Sequence, residues 1–139
     1  MPLSYNGEII DNFSMRFEGG RVVEVHAEKN EELLKTMVSM DEGAAMLGEC
    51  AFVPYDSPIR QSGIMFYETL FDENAACHFA IGRGFTNTIK NYENYTNEEM
   101  HKMGVYDSSI HVDFMIGTKD LSIVGIKRDG SEFKIFENG

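Results

Sequence analysis

Four side chains of metal-ligand type, Glu49, His78, His111 and Asp113, stand out in this sequence because two of them interrupt an apolar run. His111 and Asp113 lie two residues apart within Ile110-His111-Val112-Asp113-Phe114-Met115-Ile116. A strand turns residues i and i+2 to the same face. An imidazole and a carboxylate therefore point the same way from what reads as a core strand. Burying both is costly unless something pairs with them, and a divalent cation would satisfy both. Imidazole and carboxylate oxygen suit zinc and related divalent metals. Such ions lower the pKa of water enough to supply a nucleophile for amide hydrolysis at neutral pH. The spacings are too wide for a finger-type site and ordinary for an enzyme site assembled from several elements.

Each residue also has a plainer reading. His78 reads equally as a hydrogen-bonded core histidine, His111 and Asp113 as a satisfied polar pair, and Glu49 as a surface acid. With 4 His and 23 Asp and Glu in 139 residues, sets of this kind arise by chance. Residue types and spacing alone leave these readings open. His26 and His101 lie in polar surroundings and are expected to face solvent.

The elements that must position these groups read as α+β: a mixed β-sheet with strands near both termini and helices in the middle. Residues 3–27 read as β, with turn signals at Asn6-Gly7, Asp11-Asn12 and Gly19-Gly20. Phe13, Met15 and Phe17 alternate with polar residues, as do Val23 and Val25. Residues 30–48 read as helix, capped by Asn30, with Leu33, Leu34, Met37 and Val38 on one apolar face. A capping box of Ser39 and Glu42 predicts a second short helix over Asp41 to Leu47, stopped by Gly48. Pro54 and Pro58 predict an extended loop. Gly63 to Phe71 has helical or mixed character. Thr96 and Glu99 form a capping-box pair opening a short helix that Gly104 stops. Strands are expected at Ile110 to Gly117, Leu121 to Lys127 and Glu132 to Phe136, with a turn at Asp129-Gly130.

Length predicts one domain over residues 1–139, able to bury about 68–70% of its unfolded surface. The net charge of −11 argues against a nucleic-acid partner, which needs clustered Lys and Arg. Two cysteines, Cys50 and Cys77, are too few for a disulfide framework. Both are expected to be reduced and buried, in a cytoplasmic protein. No apolar run approaches the ~20 residues needed to cross a membrane, and the opening residues lack the regions of a signal peptide.

Longer motifs sharpen this picture. Leu47-Gly48-Glu49, followed by Ala51-Phe52-Val53-Pro54-Tyr55-Asp56-Ser57-Pro58-Ile59, resembles the thermophilic metalloaminopeptidase family, the group that includes aminopeptidases T and S. So does Leu70-Phe71-Asp72-Glu73-Asn74-Ala75-Ala76-Cys77-His78 followed by Ile81-Gly82, and so does His111-Val112-Asp113-Phe114-Met115-Ile116-Gly117-Thr118. Leu3-Ser4-Tyr5-Asn6-Gly7 and Asp41-Glu42-Gly43-Ala44 also look like family segments. The resemblance runs in order over nearly the whole chain.

The resemblance implies a metal-dependent aminopeptidase that removes N-terminal residues from peptides, works as a homodimer and uses two divalent ions, with cobalt, zinc or magnesium as activators. It implies that Glu49, His78, His111 and Asp113 are metal ligands and that Glu49 bridges the ions. Glu73 matches a further acidic position at the site. Glu49 or Glu73 would then shuttle the proton.

Two departures qualify this. The family also uses a glutamate from a Pro-Thr-Glu-Glu type motif upstream of the segment that Leu3 to Gly7 resembles, and the family's N-terminal domain is absent. The chain is therefore expected to correspond to the C-terminal metal-binding domain of a larger two-domain enzyme, weakly active or inactive alone. The family also often carries a tyrosine seven residues after the motif histidine. Here that position is Phe85, which leaves Tyr92 or Tyr95 to supply a phenol. The alternative function is a non-catalytic binding or self-association module.

Overall fold

The structure, a computed structural model, describes residues 1–139. Three antiparallel sheets organise it. Strands β1 (Leu3–Tyr5), β2 (Glu8–Glu18) and β3 (Arg21–Lys29) form the first, in that order. Strands β4 (Leu47–Ala51), β5 (His78–Gly82) and β6 (His111–Met115) form the second, and β7 (Ile123–Ile126) and β8 (Glu132–Phe136) a terminal hairpin. Helices α1 (Glu31–Val38), α2 (Pro58–Ser62), α3 (Thr69–Asp72) and α4 (Asn97–Lys102) are short. The α+β class is as expected. Two strands of the second sheet, β4 and β5, lie in the middle of the chain among the helices.

The Asp11-Asn12 signal does not end a strand. β2 runs through it, and Asn12 takes a left-handed φ of 47° as a kink inside the strand, a conformation that Asn tolerates better than most residues. Asn30 also adopts a left-handed backbone and makes no side-chain cap. Its amide instead donates to the Ile9 carbonyl at 2.9 Å, tying the helix start to β2. The helix ends at Val38, and the Ser39 hydroxyl donates back to the Lys35 and Thr36 carbonyls rather than capping a second helix. Residues 41–46 form turns, and Gly48 lies within β4. Gly48 is needed there for close approach: a Cβ would come within 2.6 Å of the Arg83 carbonyl oxygen. Where an extended loop was expected, Pro58 opens α2 at its first position, and the Ser57 hydroxyl accepts from Arg60 N. The Thr96–Glu99 capping box is formed as predicted, and Gly104 follows with φ 89°.

The core joins the first two sheets. Leu34 and Met37 of α1 are fully buried and belong to one core cluster with Ile10, Val22, Ile81, Val112 and Phe114. Phe114 meets Phe13 and Phe79 edge-on, at ring separations of 6.0 and 6.2 Å. Segment 43–47 stitches the sheets together: Val22 N donates to Ala45 O, Leu47 N to Gly20 O, and Gly82 N to Met46 O, each at 2.8 Å.

Asp41 fastens the other end of this segment. Its carboxylate accepts from Ser109 N at 2.7 Å and from the hydroxyls of Ser108 and Ser109, just before β6. The Ser109 and Ser108 hydrogen bonds hold the Asp41 carboxyl well below the ordinary value of 3.8. A carboxyl with a depressed folded-state pKa stabilises fully above its unfolded value and loses that contribution as the pH falls through the folded one. Asp41→Ala is therefore expected to lower the urea midpoint at pH 7, with the gap from the unaltered chain closing as the solution is acidified below 3.8. Equal midpoints at pH 7 would rule out this tie.

Candidate metal centre

The second sheet carries the cluster on one face. In its register Ala80 of β5 is flanked by Glu49 of β4 and by Asp113 of β6, and His111 pairs with Gly82. The glycine at 82 is forced: φ is +101°, and a Cβ would come 2.2 Å from the Ile110 carbonyl oxygen. Alternation along β6 keeps His111 and Asp113 on the same side, with His111 Nε2 at 3.3 Å from Asp113 Oδ1. His78 opens β5 and is 3% exposed. Glu73 reaches the same place from the 3-10 turn Glu73–Ala75, where its carboxyl comes beside that of Asp113. That turn is held by its neighbour: the buried Asp72 carboxylate accepts from Phe66 N at 2.9 Å and Glu68 N at 3.2 Å.

All five residues named from the sequence therefore converge. Glu49 sits between the imidazoles, with Oε1 at 3.5 Å from His78 Nε2 and Oε2 at 3.5 Å from His111 Nε2. Ligand atoms of Glu49, His78 and Asp113 all lie within 4.8 Å of one another. Both imidazoles are oriented by backbone carbonyls: His78 Nδ1 donates to Ala76 O at 3.1 Å, and His111 Nδ1 donates to Arg83 O at 2.7 Å. A carbonyl only accepts, so Nδ1 carries the proton and Nε2 is turned toward the carboxylates. This is the arrangement in which histidine binds a metal through one nitrogen while the other is fixed by an outer partner.

The donor set fits a divalent ion. Ligands about 2.0–2.2 Å from a tetrahedral ion lie roughly 3.3–3.5 Å apart, and the three His–carboxylate contacts are 3.3, 3.5 and 3.5 Å. Asp113 is 4% exposed, and its Oδ1 has no hydrogen-bond donor. An anionic oxygen buried in this way needs a positive partner.

Charge balance shows the same demand. Pairing with the Asp113 carboxylate, 3.3 Å away, raises the His111 ring to about 9, and the Arg83 carbonyl adds to this. A proton thus stands where a cation would compete for it. Burial and the nearby Asp113 carboxylate push Glu73 up to about 7. Burial works against ionisation of Asp113, but His111 prevails and holds its carboxyl below the usual value.

Some expectations are corrected. Glu49 does not follow a helix stop; it lies on β4. Cys77 is buried, with its sulfur at 3.3 Å from Val53 N and O, but Cys50 is exposed because strand alternation turns it away from Glu49's side. Both are free. His26 faces solvent as expected, whereas His101 is half-buried and stacked on Tyr106 at 4.9 Å. Phe85 packs on the His111 ring at a centroid separation of 4.9 Å. Tyr92 and Tyr95 are exposed, and the cleft that Tyr92 lines holds none of the five cluster residues. Sequence reasoning missed the orienting carbonyls of Ala76 and Arg83, which no side-chain pattern encodes.

A carboxylate–histidine cluster on a sheet face, with imidazoles fixed through Nδ1, defines a metalloprotein-type site. The chain belongs to the thermophilic metalloprotease (M29) family, whose model matches residues 1–139, and this family uses divalent metal. It is 54% identical over 138 residues to aminopeptidase AmpS of Bacillus subtilis (strain 168), covering 99% of this chain and 34% of that protein. It is 42% identical over 138 residues to aminopeptidase T of Thermus aquaticus, covering 33% of that protein. Wild-type AmpT from Thermus thermophilus superposes with a TM-score of 0.89 at 42% identity, over all of this chain and 34% of that one. The chain spans about a third of the length of these relatives.

In chelator-treated protein the His111 ring is expected to titrate near pH 9 by proton NMR, and Asp113→Asn to return it toward 6.5. A ring titrating at 6.5 in the unaltered chain would show that the two side chains do not pair.

Proposed function

We propose that these 139 residues are the metal-binding part of a larger aminopeptidase that hydrolyses N-terminal residues from peptides with two divalent ions. The observation that carries this reading is the placement of Glu49: its two oxygens face two different imidazoles, His78 and His111. A carboxylate so placed is suited to bridge two cations. His78 with Glu49 Oε1 would hold one ion, and His111 with Glu49 Oε2 and Asp113 the other. Cobalt, zinc and magnesium are the candidate ions; the imidazoles favour the first two. Ions held there would supply a nucleophile at neutral pH and stabilise charge on the scissile carbonyl oxygen.

The chain's own residues divide the remaining work. The Ala76 and Arg83 carbonyls hold the imidazoles in register. Glu73, beside Asp113 and pushed up to about 7, is suited to accept and return a proton, and it is also a candidate ligand. Phe85 brings no hydroxyl to the site.

A second reading concerns assembly. Ile64, Tyr67, Leu70 and Phe71 are exposed together, and Ile126 and Phe133 are exposed on the terminal hairpin. Bare apolar surface of this kind favours a covering partner, and we propose a homodimer in the whole enzyme. Two free cysteines accord with a reducing, cytoplasmic setting. No helix is long and apolar enough to cross a membrane.

Calorimetric titration of the chain with cobalt or zinc at neutral pH tests the metal reading. Specific binding is expected, with His78→Ala and His111→Ala each weakening it at least about tenfold. Absence of specific binding by the unaltered chain would overturn it. Aminoacyl-nitroanilide hydrolysis by the loaded chain, alone and with the other two thirds of a relative supplied as a separate polypeptide, tests the peptidase reading. Light scattering tests self-association; a clean monomer at high concentration in the whole enzyme would count against it.

A further inference from the structure

A cleft of about 590 Å³ opens alongside β4, next to the carboxylate–imidazole cluster. Its size falls within the range of small-molecule sites. Glu49 belongs to both the cluster and the cleft. Phe85 and Val105 supply apolar walls, and Asn87 and Thr88 supply uncharged polar ones. Phe85 leans on the His111 ring, so the wall of the cleft is also a wall of the cluster. Glycines leave the space open: a Cβ at Gly84 would press to 3.2 Å from Val105 Cγ1. No Lys, Arg or His lines the cleft, and Glu49 is its one carboxylate.

We infer that this cleft receives the side chain of a peptide's N-terminal residue and selects uncharged, chiefly apolar ones. The inference rests on the aminopeptidase reading above. An exopeptidase must hold the scissile carbonyl at the cluster, and the residue bearing the free amine then places its side chain within about one residue length, ~3.8 Å, of that carbonyl. The cleft shares Glu49 with the cluster, and its Phe85 wall touches the His111 ring, so it adjoins that position. The larger groove of about 650 Å³ between β2 and β6 includes none of the five cluster residues. The cavity touching Glu73 and Asp113 offers only about 10 Å³, room for about one water. An acidic side chain would find no Lys, Arg or His in the cleft to pair with. A basic one would find Glu49 already engaged by His78 and His111. Apolar atoms gain contact with Phe85 and Val105.

The test uses the zinc- or cobalt-loaded chain with L-leucinamide, L-alaninamide, L-phenylalaninamide and the α-amide of L-glutamate as probes, followed by amide NMR. Leucinamide is expected to bind about tenfold or more tighter than the glutamate α-amide and to shift the amides of Gly84, Thr88 and Gly104. Val105→Phe should weaken leucinamide relative to alaninamide roughly tenfold, with metal affinity by calorimetry unchanged. Val105→Ala should move preference toward phenylalaninamide and serves if the larger residue disturbs folding. If metal binds but leucinamide does not, or binds no better than the glutamate α-amide, or if neither Val105 variant moves these ratios, the cleft is not the side-chain site. If the unaltered chain binds no metal, the aminopeptidase reading fails and takes this inference with it.

Discussion

The desolvated carboxylate of Asp113 is the constraint on which the rest of the structure turns. It is buried in β6, an outer strand of the second sheet, between Val112 and Phe114, and one of its oxygens accepts no hydrogen bond. Nothing in hydrophobic packing explains it. What surrounds it does: His111 two residues away, Glu49 across the sheet, His78 at the start of β5, and Glu73 from the turn before it. A group of three carboxyls and two imidazoles in so small a volume is costly without compensating positive charge. The raised His111 and Glu73 carry that cost as retained protons.

Much of the scaffold can be understood as holding this face in place. The antiparallel register sets Glu49 and Asp113 on either side of Ala80, whose small side chain leaves room between them. Gly48 and Gly82 let backbone carbonyls approach at distances that no Cβ would permit. Those approaches bring Arg83 O to His111 Nδ1. Asp72 and Ser57 brace the turn that delivers Glu73, and Asp41 anchors the segment leading into β6. The two imidazoles thus owe their orientation to main-chain atoms, a rigid kind of support suited to a site that must keep its geometry.

How much of this was legible in the sequence varies by element. The alternation of Phe13, Met15 and Phe17, the Thr96–Glu99 capping box and the turn at Asp129-Gly130 carry local signals, and those elements form where expected. The cluster itself was visible as side-chain types, sharpened by longer motifs. The helix expected over 41–47 fails because the Ser39 hydroxyl is turned back to the previous helix and does not cap a second one, and because residues 43–47 are drawn into hydrogen bonds with β3 and β5, a tertiary competition that propensity does not register. β5 carries little strand signal because it is short, contains Ala80 and Gly82, and follows the small residues Ala75-Ala76-Cys77. The partners of His78 and His111 escaped for a different reason: they are carbonyls.

The central claim is that Glu49 lies between two cation positions. Anomalous diffraction from crystals of this chain grown with zinc or cobalt tests it most directly. The account predicts density between Glu49 and His78 Nε2 and again between Glu49, His111 Nε2 and Asp113, with both Nδ1 atoms still on their carbonyls. Ordered protein with no anomalous density at this face, or with metal bound through Nδ1, would contradict it.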